Sequence, residues 1–184
     1  MKNELSTFNY SFDCGVLRIS NAGIATTAFF NRPLIPFTMN PINVLFLCIH
    51  NSARSQMAEA YLKKFGGDAY HVESAGLEAG RLNPLAVAVM QEDGIDISHN
   101  KTKDVFEFFK EGRRYDYVIT VCDEASASRC PIFPGMHTKI HWGFDDPSSF
   151  TGEEHERLAR TRAVRDTIRT AVEEFVRNTR SKAR

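Results

Sequence analysis

The chain has 184 residues with 23 Lys+Arg against 23 Asp+Glu, a formal net charge of +0 at pH 7. That balance excludes the cationic footprint of a nucleic-acid binder, and 42% hydrophobic with 25% charged residues excludes a disordered or fibrous chain. Charged residues interrupt every apolar run short of the roughly 18 residues a spanning helix needs, so one soluble domain is expected.

Residues 1 to 40 carry scattered turn formers, with Pro33 and Pro36 near their end and no sustained periodicity. They read as a disordered extension, or as a start assigned too far upstream of Met39. Val44 to Cys48 is a short continuous apolar run, the signature of a strand buried on both faces. A helix is predicted over Ser55 to Phe65, with Met57, Ala58, Tyr61, Leu62 and Phe65 on one face and Gly66-Gly67 as its stop. Ala69 to Ser74 reads as a second strand. Asn83 as cap, Pro84 at the first helical position and Gly94 beyond the end bracket a second helix. Val105 to Lys110 is a short helical stretch, Tyr115 to Cys122 a third strand and Thr138 to Trp142 a fourth. The last helix spans Glu153 to Val176, with Leu158, Val164, Ile168, Val172 and Phe175 as its core stripe. Beyond Phe175 the basic chain is expected to fray, leaving 41–178 as the catalytic domain and 179–184 as a tail. Strands alternating with helices imply a parallel sheet covered on both faces, with the ligand site outside the carboxyl ends of the strands.

The four cysteines are Cys14, Cys48, Cys122 and Cys130. Without a convincing secretory signal, a reducing cytoplasm is the expected location, where thiols are catalytic, redox-active or simply buried. No pair has the C-x2-C spacing of a zinc site, and no metal or cofactor is expected.

The most informative segment is Cys48-Ile49-His50-Asn51-Ser52-Ala53-Arg54-Ser55, a C-x5-R stretch between a buried strand and a helix. Alone, the pattern recurs by chance, and a buried cysteine followed by a helix-capping serine is then the better explanation. In its strand-loop-helix setting it predicts a loop whose backbone N-H groups surround a tetrahedral oxyanion, aided by the positive helix N-terminus. The candidate oxyanion-binding residues are His50, Asn51, Ser52, Ala53, Arg54 and Ser55. Arg54 offers a planar fork for two oxygens, and the same field favours a nucleophilic thiolate at Cys48. Asn51 is a candidate to brace the loop, and Ser55 to donate to the Cys48 sulfur.

Several motifs occur in one order: VLFLCIHNSARSQMAEAYL, SAG at 74 to 76, VITVCDEASASRCPIFPG and HWGFDDP. Together they resemble the thioredoxin-coupled arsenate reductases built on the low-molecular-weight tyrosine phosphatase fold, over Ile42 to about Val176. The resemblance implies a flavodoxin-like three-layer αβα fold with a four-stranded parallel sheet in the order 2-1-3-4. It implies a disulfide relay of Cys48, Cys122 and Cys130, with Asp146 as general acid and Asp145 as the fallback candidate. It further implies a cytoplasmic monomer acting on arsenate or a phosphate-like oxyanion with thioredoxin as reductant, and no nucleic-acid or membrane partner. The alternative is a phosphatase using the same loop and acid on phosphotyrosine, although Asp146-Pro147 is followed by Ser148 where that branch usually carries tyrosine. A third reading is an oxyanion or redox sensor without turnover. Some members hold a potassium ion near the loop; Asn51, Glu59, Ser74 and Asp104 stand at roughly corresponding positions.

Overall fold

The computed structural model describes residues 40–122, 131–135 and 137–182. The proposed extension, Cys14 and Cys130 lie outside the described residues. Four strands, β1 (Ile42–Cys48), β2 (Tyr70–Gly76), β3 (Tyr117–Thr120) and β4 (Thr138–His141), form one sheet in the order β2-β1-β3-β4. All neighbouring pairs are parallel. The helices are α1 (Arg54–Gly66), α2 (Pro84–Glu92), α3 (Val105–Lys110) and α4 (Glu154–Lys182).

Pleating divides β1 between two cores. Val44, Phe46 and Cys48 face a cluster that includes Met57, Tyr61 and Leu62 of α1, Val89 and Met90 of α2, and Ile168, Val172 and Phe175 of α4. Leu45 and Leu47 face the other way, onto Val105 and Phe108 of α3 with Tyr115 and Phe133. A strand covered on both faces must be apolar at successive positions, which is why Val44 to Leu47 are all fully buried. The expected flavodoxin-like αβα architecture and strand order are therefore observed.

Strand ends differ from the sequence expectation for local reasons. β2 runs two residues further than predicted, through Gly76, and pairing continues beyond it as Leu77 N-H donates to Cys48 C=O at 3.2 Å. β3 starts two residues later, because the Asp116 carboxylate accepts from Asn43 N-H at 2.8 Å and replaces part of the ladder with a side-chain bridge. The second helix is capped as expected: Asn83 accepts from Leu85 N-H, and Gly94 adopts φ 69° beyond the end.

The expectation of fraying after Phe175 is corrected. α4 continues to Lys182 because its last turns dock: Thr179 is buried against the Tyr70 hydroxyl, and Arg180 donates to the carbonyls of Phe65 and Gly66 at 3.2 and 3.3 Å. Earlier in α4, Arg162 and Arg165 hold Glu92 at the end of α2, so part of the helix's basic character joins two elements. Among the described residues, no helix is long and apolar enough to cross a membrane.

Candidate active site

The loop at the carboxyl end of β1 is held from outside through its carbonyls. Those of Cys48, Ile49, His50 and Ser52 accept from the N-H groups of Leu77, Glu78, Gly80 and Asn83 at 2.9 to 3.2 Å. Turning carbonyls outward leaves loop amides free to turn inward, and the Asn51 N-H meets Cys48 Sγ at 3.1 Å. The same packing dictates two glycines. A Cβ on Gly76 would lie 2.7 Å from both Asn51 N and Ile49 O, and one on Gly80 would lie 3.0 Å from the His50 Cβ.

Asn51 sits at the bend with φ 51°, a left-handed conformation that asparagine tolerates better than most residues. Its side chain is completely saturated. Oδ1 accepts from Lys103 N-H at 2.9 Å and Gln56 Nε2 at 3.1 Å, while Nδ2 donates to Ser55 Oγ at 2.9 Å and Ser74 Oγ at 2.8 Å. Ser55 Oγ in turn lies 2.9 Å from Cys48 Sγ. The serine therefore faces the thiol, as predicted, and does not cap α1, which starts behind Ala53 without a side-chain cap. Helix N-H groups without a side-chain cap keep their partial positive charge available to an anion.

Arg54 opens α1 and reaches across to the segment after β4. Its Nη1 donates to the Phe144 carbonyl at 3.1 Å and its Nη2 to Asp146 Oδ2 at 2.6 Å. Asp146 also caps the short helical turn Pro147–Ser149, with Oδ1 accepting from Ser148 N-H at 3.0 Å. Both its carboxylate oxygens are thus oriented, whereas the fallback Asp145 is exposed.

Cys122 follows β3. Leu47 pairs with Thr120, and Val121 N-H donates to Leu47 C=O at 2.7 Å, so Cys122 lies about level with the end of β1 on the adjacent strand. Strict alternation from Ile119 would send Cys122 to the α3 face, yet it is completely buried in the same cluster as Cys48. The chain turns after Val121 and keeps both thiols on one side of the sheet. Cys48, Arg54, Cys122, Asp146 and the loop His50–Ser55 are therefore gathered at one end of the sheet, while Cys130 lies outside the described residues.

Beneath the loop, Ser74 Oγ donates to Glu59, whose carboxylate also meets Lys63 Nζ at 2.5 Å and Lys103 Nζ at 3.0 Å. Burial alone would raise the Glu59 pKa, but the Lys103 charge, followed by the Lys63 and Ser74 contacts, leaves it below the ordinary carboxylate value. Asn51, Glu59 and Ser74 thus converge as the resemblance implies. Asp104 does not contribute a ligand there: its Oδ1 caps α3 at Phe106 N-H, 2.7 Å away. This set does not fit an alkali cation, because the Asn51 oxygen is spent on two donors and an ammonium already occupies the Glu59 carboxylate.

Sequence reasoning missed Gln56, Gly76, Lys103 and the Phe144 carbonyl. The SAG motif did carry a signal for Gly76. Nothing in the residues around Gln56 or Lys103 marks them as parts of the loop's support.

The low molecular weight phosphotyrosine protein phosphatase family model matches residues 43–184. The chain belongs to this family. It is 46% identical over 132 residues to an arsenate reductase of Bacillus subtilis, spanning 72% of this chain and 93% of that one. A solved arsenate reductase in the phosphate binding state superposes with a TM-score of 0.59 at 32% identity, covering 74% of this chain and 98% of the other. A thioredoxin-dependent arsenate reductase of Corynebacterium glutamicum superposes with a TM-score of 0.51 at 29% identity, over 74% of this chain and 64% of that one. The family's fold is therefore shared, and the relatives described above carry the name arsenate reductase.

Proposed function

We propose that the chain reduces arsenate to arsenite, with Cys48 as nucleophile and Cys122 and Cys130 as the disulfide relay. The observation that carries this reading is the burial of two thiols, Cys48 and Cys122, in one cluster at the ends of neighbouring strands. Neighbouring strands lie about 4.8 Å apart, within reach of the roughly 4.4–6.8 Å Cα separation of a disulfide after a small loop movement. The relatives' names support the same assignment.

The loop amides and Arg54 hold the oxyanion. Cys48 thiolate attacks arsenic, forming an S–As bond, while one oxygen departs as water with a proton from Asp146. Cys122 thiolate then attacks Cys48 Sγ. The S–S bond forms, the S–As bond breaks, and its electron pair stays on arsenic, which leaves as arsenite. Cys130 attacks Cys122 in turn, releasing Cys48 and forming a Cys122–Cys130 disulfide. An external dithiol, thioredoxin, reduces that last disulfide. Phosphorus has no comparably accessible two-electron reduction, so a phosphorylated Cys48 can only be hydrolysed or transferred.

The test is arsenate-dependent NADPH oxidation with thioredoxin and thioredoxin reductase. Wild type is expected to turn over repeatedly, and Cys122→Ser and Cys130→Ser to lose multiple turnover. Wild-type protein that hydrolyses aryl phosphates but never consumes NADPH with arsenate overturns the proposal in favour of a phosphatase.

A further inference from the structure

Glu59 is a buried carboxylate, 5% exposed, at the far end of a hydrogen-bonded chain that runs through Ser74, Asn51 and Ser55 to the Cys48 sulfur. A carboxylate in that position requires a cation. Lys63 meets it from the surface, with a side chain 56% exposed. Lys103 is built differently. Its ammonium lies on the Glu59 oxygen that also receives the Ser74 hydroxyl, its N-H donates to Asn51 Oδ1, and its C=O accepts from Gly76 N-H at 2.8 Å. One residue thereby touches the carboxylate, the asparagine at the loop's bend and the glycine on which the loop rests.

We propose that the Lys103 ammonium is a tethered counter-ion for the loop's support, filling the role that a bound alkali cation would serve, and that Lys103 is a positioning residue for the oxyanion loop. Three features carry it. A hard cation needs oxygen donors, yet Asn51 directs its NH2 group toward Ser74 and Ser55 and commits its oxygen to Lys103 N-H and Gln56. The orientation of that amide is fixed by the Lys103 backbone N-H, which can only donate. The Ser74 hydroxyl and the Glu59 oxygen it meets are engaged with each other and with the ammonium, and Asp104 is committed to α3. A charge delivered on the chain itself does not depend on the concentration of any ion, so the loop should hold its shape in any salt.

Thermal unfolding and phosphate binding are measured on full-length wild type, Lys103→Met and Lys103→Arg in KCl, NaCl and choline chloride at one ionic strength. Wild type is expected to show one midpoint and one phosphate dissociation constant in all three salts. Lys103→Met is expected to bind phosphate about tenfold more weakly than wild type in all three salts, the scale on which loss of an outer supporting contact acts, because the Lys103 N-H and Gln56 still occupy the Asn51 oxygen and leave potassium no replacement site. Lys103→Arg restores a fixed cation and should respond like wild type. A potassium-specific rise in the wild-type midpoint overturns the proposal, as does a Lys103→Met protein whose midpoint and phosphate affinity in choline chloride match wild type. If Lys103→Met does not fold, wild type decides alone: a potassium-specific rise refutes the tethered counter-ion and a salt-independent midpoint upholds it. None of these measurements requires arsenate turnover, so their outcome and that of the reductase assay are separate.

Discussion

Arg54 and Asp146, 92 residues apart in sequence, meet at 2.6 Å at the mouth of the anion loop. The pair is asymmetric: the arginine side chain is 5% exposed and the aspartate 25%. The group proposed to grip the oxyanion therefore also positions the group proposed to protonate its departing oxygen, and the Phe144 carbonyl fixes the second arm of the fork. An arriving oxyanion competes with Asp146 for Arg54 and must release or share that carboxylate.

Arg54→Lys should consequently fail although it conserves charge. A lysine ammonium is a point donor and cannot hold an oxyanion while bonding Phe144 and Asp146 in the same plane. The expected loss in kcat/KM for arsenate is about 10²–10³-fold, the scale for removing a transition-state donor. Asp146→Asn removes the acidic proton and leaves one acceptor oxygen for the two donors Arg54 Nη2 and Ser148 N-H, and should lower kcat by about 10²–10⁴-fold. Steady-state kinetics checked by circular dichroism decide both. Unchanged kcat/KM in Arg54→Lys would remove it from the site.

Gly76→Ala tests whether the loop rests on its neighbour's lack of a side chain. The added methyl would approach Asn51 N and Ile49 O at 2.7 Å, and both are backbone atoms that cannot swing aside. The loop must shift, at an overpacking cost of about 1–3 kcal/mol. Calorimetric titration with phosphate should show weakened binding together with a lowered unfolding midpoint. If the midpoint drops while phosphate affinity stays at the wild-type value, the glycine matters to the sheet and not to the loop.

Acid should loosen the support beneath the loop. The Glu59 pKa in the folded protein lies below its ordinary value of 4.5 despite burial, because Lys103 and Lys63 offset the desolvation. A depressed folded pKa contributes stability that is present above pH 4.5 and is lost as pH falls through the folded value. Unfolding midpoints measured from pH 7 downward should fall more steeply for wild type than for Glu59→Gln, with the two curves converging in acid. Parallel curves would show that Glu59 does not titrate differently in the folded chain.

The sheet was legible because its strands announce themselves locally. Val44 to Cys48 is apolar on both faces, and Asn83-Pro84 starts a helix by backbone chemistry that needs no tertiary partner. The strand-loop-helix placement of the Cys48–Arg54 loop was legible for the same reason, since both residues lie within one short segment. What escaped depends on contacts between distant segments. Lys103 looks like any lysine in a polar stretch until folding places it on Glu59, 44 residues away. The last turns of α4 look like a frayed basic tail until Thr179 meets Tyr70, 109 residues earlier. The Asp116 bridge that shortens β3 likewise involves a residue 73 positions off.

Asn51 combines two separable contributions, and a pair of variants can divide them. Asn51→Gly removes the four side-chain hydrogen bonds but accepts φ 51° without strain, whereas Asn51→Ala loses the same bonds and must also hold an L side chain in the left-handed region. Left-handed backbone costs a residue with a Cβ about 1–2 kcal/mol, so denaturant unfolding should place Asn51→Ala below Asn51→Gly by about 1 kcal/mol once the greater unfolded-state freedom of glycine is set against that strain. Both should fall below wild type, because Lys103 N-H, Gln56 and Ser74 lose buried partners. Equal stability of the two variants would mean that the bend relaxes out of the left-handed region when the side chain is removed. The loop would then owe its shape to the Asn51 amide and its partners, with no independent contribution from backbone conformation.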